Sequence, residues 1–168
     1  MKISENKSKL AVLAAAPLVA VALTLAVGTL TQQAVAAPNL AHGFAVGGFT
    51  AMDLSHVAFA AQIVVKNNFT VNYSGHVVQE DATGASRHGP VRCVYVNGTQ
   101  ASVLWEVTKS DVDPNEVGQF RSFVVIDGGE PPAGSDLYAD RGADNNCYPE
   151  GNEVYQPILR GNIVVKNQ

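Results

Sequence analysis

The chain has 168 residues, a formal charge of −4 at pH 7 and two cysteines. This length suits a domain that can bury its own core. The acidic balance disfavours a nucleic-acid partner, because phosphate contact needs a cationic patch, and the basic residues beyond the N-terminal segment are scattered singly.

The N-terminal segment has the pattern of a Sec-type export signal. Three lysines precede a long apolar run of Ala, Val and Leu, and Ala34-Val35-Ala36 forms a small-x-small cleavage box. We predict cleavage between Ala36 and Ala37, because cutting one residue later would leave Pro38 at the first mature position. An uncleaved membrane anchor is the alternative, since the apolar run is about long enough to span a bilayer.

This reading gives a signal peptide at residues 1–36 and a single domain at 37–168. We predict a secreted, extracellular protein with no stable membrane insertion after cleavage. The leader takes three lysines and one glutamate with it, so the mature chain is more acidic. Both Cys93 and Cys147 lie in the mature part, and two cysteines in an exported chain favour one disulfide over a metal site.

Beyond the leader, short β-patterns alternate with turn residues, and no stretch has a sustained helical period. The segment from Phe69 to Gln79 alternates with period two, which is typical of a half-buried strand. Strands recurring every eight to twelve residues or so predict an antiparallel up-and-down β-barrel, or a barrel-like sandwich, of about eight to nine strands. The predicted strands, besides the hairpin strand that ends near Thr108, are Gly43–Thr50, His56–Val65, Phe69–Gln79, Ser86–Val96, Gln119–Asp127, Asp136–Ala139, Val154–Leu159 and Gly161–Val165.

The central hairpin runs from Pro90 to Thr108 and turns at Asn97-Gly98, a pair that suits a type I′ turn. This turn pairs Val94 with Ala101, and a turn one residue later would shift partners by two without changing the faces. The predicted core face carries Val94, Val96, Ala101, Val103 and Trp105. The opposite face carries Val91, Cys93, Tyr95, Gln100, Ser102 and Leu104.

Four motifs follow one another in a recognisable order. They are the hairpin Gly89–Ala101, the Val125–Pro131 turn with Asp136-Leu137-Tyr138, the Cys147-Tyr148-Pro149 loop, and Gly161–Val165. In this order they resemble small exported proteins of Gram-positive bacteria, especially actinobacteria. Those proteins carry a Gly-x-Val-x-Cys-Leu-x-Val-x-Gly-Asn-x-Ala hairpin, a Val-x-Asp-Asn-Gly-Glu-Pro-Gly turn and a Gly-Asn-Ile-x-Val ending.

The resemblance covers the chain from about His56 onward and implies an exported all-β domain. It also implies a bridge between Cys93 and Cys147, and it carries no known activity. The departures are Val94 for Leu, Thr99 for Asn and Gly128 for Asn, which affect turn detail rather than the fold.

Four acidic residues are candidate calcium ligands, because calcium prefers several oxygen ligands gathered at turns. They are Asp127, Glu130, Asp136 and Asp140, in and after one Gly/Pro turn. The alternative is a solvated acidic turn that keeps a strand edge soluble. The ligand set is incomplete, so we predict little stabilisation by calcium.

The sequence has no Gly-x-Ser-x-Gly elbow, and Ser86 and His88 lie two residues apart without an acid to orient the imidazole. We therefore lean away from an enzyme and predict no catalytic residue and no cofactor. The favoured function is a non-catalytic module that is structural or binds a cell-wall or extracellular partner. A barrel carrying a small molecule is the alternative and needs an open cavity. A secreted hydrolase ranks third.

Overall fold

Alternating apolar and polar residues fold the chain into strands that pair antiparallel with their neighbours. The computed structural model describes residues 39–129 and 135–167; the predicted cleavage site between Ala36 and Ala37 lies outside this part. A 3₁₀ turn spans Pro114–Glu116. The strands are β1 (Asn39–Thr50), β2 (His56–Lys66), β3 (Val71–Glu80), β4 (Ser86–Asn97), β5 (Gln100–Glu106), β6 (Lys109–Ser110), β7 (Phe120–Ile126), β8 (Leu137–Ala143), β9 (Gln156–Pro157) and β10 (Arg160–Asn167).

The strands form one curled sheet in the order β10-β1-β2-β3-β4-β5-β7-β8-β9, with β6 paired to β4. Nearly all neighbours are consecutive in sequence, and β10 returns to pair with β1. This confirms the predicted all-β, antiparallel, barrel-like fold. The predicted strand at Val154–Leu159 shrinks to the two residues of β9. Within the described residues, no helix is long and apolar enough to cross a membrane.

The inside of the curled sheet is filled by large side chains. Trp105 is only 1% exposed. Ring centroids lie 4.9 Å apart for Phe49 and Tyr138 and 5.1 Å apart for Phe59 and Phe123, which is the spacing of favourable aromatic pairs. The inner face therefore packs as a core and not as a ligand cavity.

The central hairpin has the predicted core face but a different register. Its turn is Gly98-Thr99, so Val94 pairs with Val103 rather than with Ala101. Gly98 has φ 59° and occupies the first turn position, which a type II′ turn reserves for glycine. The predicted Asn97-Gly98 turn is wrong by one residue, and the faces are unchanged because partners move by two.

Val91 does not lie on the face predicted for it. It pairs with Trp105 and is buried in the core, because a bulge between Val91 and Cys93 reverses the alternation along β4. Arg92, inside the bulge, is exposed and bonds Glu106 through Nη2 at 2.6 Å. The same bulge is the point at which β4 stops pairing with β3 and pairs with β5 instead.

Phe69, predicted to begin a strand, instead lies in a turn. Three hairpin turns share one hydrogen-bond pattern, in which the first residue bonds the fourth and the fifth. The fourth residue has a left-handed backbone in each turn, with φ of 66° at Leu54, 60° at Phe69 and 87° at Gly84. This conformation costs a side-chain-bearing residue about 1–2 kcal/mol, so two large apolar residues occupy positions that favour glycine.

Exchanging residues between these equivalent turns tests that reading. Leu54→Gly is expected to raise the free energy of unfolding by up to about 1 kcal/mol, because relief of backbone strain exceeds the lost unfolded-state restriction. Gly84→Leu is expected to lower it by about 1–2 kcal/mol. Urea unfolding of both variants measures the difference, and destabilisation of equal size in the two would contradict it.

Candidate binding site

A disulfide joins Cys93 on β4 to Cys147 in the loop between β8 and β9, as predicted. The Cα atoms lie 5.9 Å apart and the cysteines are separated by 54 positions. The bridge fastens the polar 144–155 loop to the outer face of the sheet. This loop has little apolar content of its own, so the covalent link is a principal reason for its position.

The fastened loop covers one part of the outer face. Ser122 Oγ donates to Asp144 Oδ2 at 2.9 Å, and Gln100 Nε2 donates to the Tyr155 hydroxyl at 2.6 Å. Outward-pointing residues of β5, β7 and β8 beneath it are buried although they face away from the core. They are Ser102, Leu104, Ser122, Val124 and Ala139.

The buried side chain of Arg141 bonds to several residues of the loop. Its side chain is 9% exposed, and its guanidinium lies 2.6 Å from Asp144 and 3.0 Å from Glu150. Its Nη1 also donates to the Tyr148 carbonyl at 3.0 Å. Burial raises the pKa of Asp144, but hydrogen bonds from the Asn146 amide and the Ser122 hydroxyl, together with Arg141, hold that pKa below its ordinary value.

The disulfide brings three tyrosines together, and we name Tyr73, Tyr95 and Tyr148 the aromatic site. Tyr148, next to Cys147, meets Tyr95 edge-on with ring centroids 5.3 Å apart. Burial, and then the nearby phenol of Tyr148, raise the pKa of Tyr73. Tyr148 is 60% exposed, so a large part of the site faces solvent. Phe69, at the tip of the same hairpin as Tyr73, is 80% exposed.

Sequence reasoning did not identify the aromatic site, because its members come from three separate segments. A partial signal was present. Tyr95 lies two positions after Cys93 and Tyr148 directly follows Cys147, so a disulfide between those cysteines must bring the two rings near one another.

No family model, curated protein or solved structure matches this chain. The geometry of the chain's own residues therefore carries the functional argument. The likeness to exported Gram-positive proteins therefore remains an expectation from the sequence motifs.

Two of the calcium candidates instead bond to main-chain amides. Asp136 is 6% exposed; its Oδ2 accepts from the Ile163 amide at 2.5 Å and its Oδ1 from the Gly128 amide at 2.9 Å. Asp127 Oδ2 accepts from the Val165 amide at 3.0 Å. Both carboxylates thus cap the edge of β10 that faces away from β1.

The other two candidates do not complete a cation site with these. Asp140 Oδ2 lies 3.5 Å from Arg121 and from Gln79, while Glu130 lies outside the described residues. Across residues 39–129 and 135–167, no three Asp, Glu, His or Cys side chains are grouped to hold a metal ion.

We expect millimolar calcium to leave the melting temperature unchanged within about 1 °C, because the Asp127 and Asp136 oxygens are already bonded to amides and a ligand stabilises only by binding the folded state. Thermal melts with calcium and with chelator measure this. A reversible rise of several degrees would contradict it.

A charged network lies among inward-facing residues at the opposite end of the sheet. Arg87 contacts both oxygens of Glu116, at 2.8 and 3.3 Å, and Arg121 reaches Glu116 at 3.3 Å. Tyr138 lies beside this network, and the burial of its hydroxyl raises its pKa well above the ordinary value. The network ties the 3₁₀ turn to β4 and β7, and its guanidinium groups are engaged by carboxylates.

The Ser86 and His88 side chains do not bond each other. Ser86 Oγ donates to Asp111 Oδ2 at 3.0 Å, and the His88 ring lies beside His76 with centroids 5.7 Å apart. A hydrolase needs its serine bonded to the imidazole and the imidazole oriented by an acid. The pair therefore lacks the geometry of a nucleophile and its base.

Clefts among the described residues are open grooves on the outside. One, of about 430 Å³, crosses β10, β1, β2 and β3, where Gly48, Ala58 and Gly161 leave space. Another, of about 460 Å³, lies where β7 begins and β8 ends, and its lining includes Phe120 and Asp144. Neither lies within the aromatic core, where a carrier would hold an apolar ligand.

Proposed function

We propose that this chain is an exported, non-catalytic binding module that holds an extracellular or cell-wall partner at the aromatic site. The observation that carries the proposal is the Tyr95–Tyr148 ring pair, fixed to the sheet by the Cys93–Cys147 bridge, with Tyr148 largely exposed and the Tyr73 phenol nearby. Tyrosine is enriched at binding surfaces because it combines a large apolar ring with a polar tip.

Rigidity favours binding over a purely structural role. Tyr148 is attached next to a disulfide, and its carbonyl is held by the buried Arg141. A side chain fixed before contact loses less conformational entropy on binding, which leaves more of the contact energy as affinity. Exposed Phe69, held in a left-handed backbone at the neighbouring tip, adds apolar surface at the same end of the sheet.

The two competing functions have less support. A carrier needs interior space, and the interior here is occupied by Trp105 and its aromatic neighbours. A serine hydrolase needs a connected nucleophile and base, and Ser86 bonds Asp111 instead of an imidazole. Export is supported by the leader pattern and by a disulfide, which suits an oxidising compartment.

Photocross-linking in the source organism tests the proposed function. The chain is expressed with its leader and carries p-benzoylphenylalanine at Tyr148, or at Thr83 as the matched control. Thr83 is exposed in the turn at the opposite end of β3. After irradiation of culture and cells, we expect one reproducible adduct at position 148 that is absent at position 83.

Mass spectrometry identifies the adduct and the first residue of the exported chain, expected at Ala37. Equal adducts at both positions, or none at position 148, would contradict the proposed site. Recovery of the chain only with an intact leader in the membrane fraction would contradict its export.

A further inference from the structure

The N-terminal half of β3 has an unpaired main-chain edge. β3 pairs with β2 from Val71 onward, but it pairs with β4 only from His76 to Glu80. Among the described residues, no strand pairs with the other side of the segment 71–75, which we name the β3 edge. An unpaired edge presents amides and carbonyls that can pair with another chain.

Gly75 lies at the point where the pairing with β4 stops. It has φ 139°, and a Cβ there would lie 2.0 Å from the Ala60 carbonyl oxygen, so only glycine fits. β4 has a bulge between Val91 and Cys93 at the same level of the sheet, and a bulge bends the strand that carries it. The pairing of β3 with β4 ends at this level.

The ladder with β2 shows which main-chain groups are free. The Lys66 amide bonds the Thr70 carbonyl at the hairpin turn. Because antiparallel partners alternate, Asn72 and Ser74 direct their amides and carbonyls to β2, while Val71 and Tyr73 direct theirs away. Val71 and Tyr73 thus offer two donors and two acceptors in strand spacing.

Two other edges of the sheet, those of β10 and β9, are blocked by the chain itself. The outward amides of β10 at Ile163 and Val165 are capped by the carboxylates of Asp136 and Asp127. β9 has only two residues, one of them Pro157. Charges, prolines and shortness are the ordinary means of blocking edges, and the run from Asn67 to Gln79 contains no Asp, Glu, Lys, Arg or Pro.

We propose that an extended, uncharged segment of a partner polypeptide adds to the sheet along Val71–Gly75, with its side chains against Tyr73 and Tyr148. This rests on the proposed function and names its partner chemistry. Main-chain pairing would supply affinity, and the tyrosines would select apolar residues at alternate positions. Charge complementarity favours an uncharged segment, because the edge itself carries no charge.

The surroundings favour a single strand over a second copy of this chain. The bridge from Cys93 fixes Tyr148 and its loop near the edge, and the Tyr95 ring meets the Tyr148 ring edge-on. A single peptide strand can lie beside this covalently held flank. A second copy of the chain would carry a fastened loop of its own beside the edge, so two such loops would have to fit at one interface.

The test uses seven-residue peptides without charged residues, displayed on phage and selected against the disulfide-intact protein. The affinity of a selected peptide is measured by calorimetry for wild type, Val71→Pro and Val71→Ala. Both substitutions remove the valine side chain, but only proline removes the outward amide. We expect Val71→Pro to weaken binding at least tenfold and Val71→Ala to weaken it less than threefold, with melting temperatures that match each other.

A second measurement remains valid if Val71→Pro misfolds. Two versions of the selected peptide are made, one N-methylated at its odd-numbered amides and the other at its even-numbered amides. We expect one version to lose binding, because its methylated amides face the β3 edge, and the other to bind as before. The inference would be overturned if the two sets of methylated peptides bound equally well, or if Val71→Pro and Val71→Ala weakened binding equally. It would also be overturned if no peptide could be selected, or if the protein formed a dimer that pairs through β3. A position-148 adduct whose yield is unchanged by Val71→Pro would overturn the strand pairing alone and leave the binding function standing.

Discussion

Replacing Cys93 and Cys147 together by serine is expected to lower the free energy of unfolding by about 4 kcal/mol. The bridge spans 54 positions, and closing a loop of that length removes roughly this much conformational entropy from the unfolded chain. The loss is a large share of the ~5–15 kcal/mol by which domains are usually stable. For a domain of this size it corresponds to a fall of roughly 10–25 °C in melting temperature.

The loop should lose its order before the sheet does. Its polar residues are held by the bridge, by Arg141 and by few apolar contacts, so hydrogen exchange in 144–155 should quicken first in the double variant. Mass spectrometry with and without reductant establishes that the exported protein carries the bridge. Two free thiols in that protein, or an unchanged melting temperature in the variant, would contradict the prediction.

Asp136→Ala is expected to cost about 3 kcal/mol. The carboxylate is buried and accepts from the amides of Ile163 and Gly128, and each buried amide left without a partner costs about 1–3 kcal/mol. Because one amide belongs to β10, the substitution also releases the strand that closes the sheet onto β1. Denaturant unfolding at pH 7 measures the effect.

Asp111→Ala is the matched control, since Asp111 is also a loop carboxylate but is exposed. Its loss should change the free energy of unfolding by no more than about 0.5 kcal/mol. Similar values for Asp111→Ala and Asp136→Ala would show that the edge cap contributes nothing.

The fold class could be predicted because strand faces depend on a period of two, which the sequence displays directly. Val57, Phe59 and Ala61 alternate in sequence and are all buried, and the core face of the central hairpin is as expected. The register could not be predicted, since Asn97-Gly98 and Gly98-Thr99 differ only in where one glycine sits in the turn. Gly89-Pro90 indicates an irregularity in this strand, but it does not show that the bulge moves Val91 inward.

The sites depend on distant pairings, which periodicity does not reveal. Asp127 and Asp136 were grouped by sequence proximity as calcium candidates, but their partners Ile163 and Val165 lie in the last strand. Tyr73 and Tyr148 come close only after the disulfide and the curvature of β3 are known. A carboxylate near a turn has the same sequence appearance whether it binds a cation, water or a strand edge.

Amide hydrogen exchange of the free protein tests the central claim, that the β3 edge is open while carboxylates cap the edge of β10, most directly. Ile163 and Val165 should exchange slowly, because carboxylates cap their outward amides. Val71 and Tyr73 should exchange much faster than Asn72 and Ser74, whose amides face β2. Equal protection at all four β3 positions would contradict the open edge and, with it, the proposed place of the partner strand.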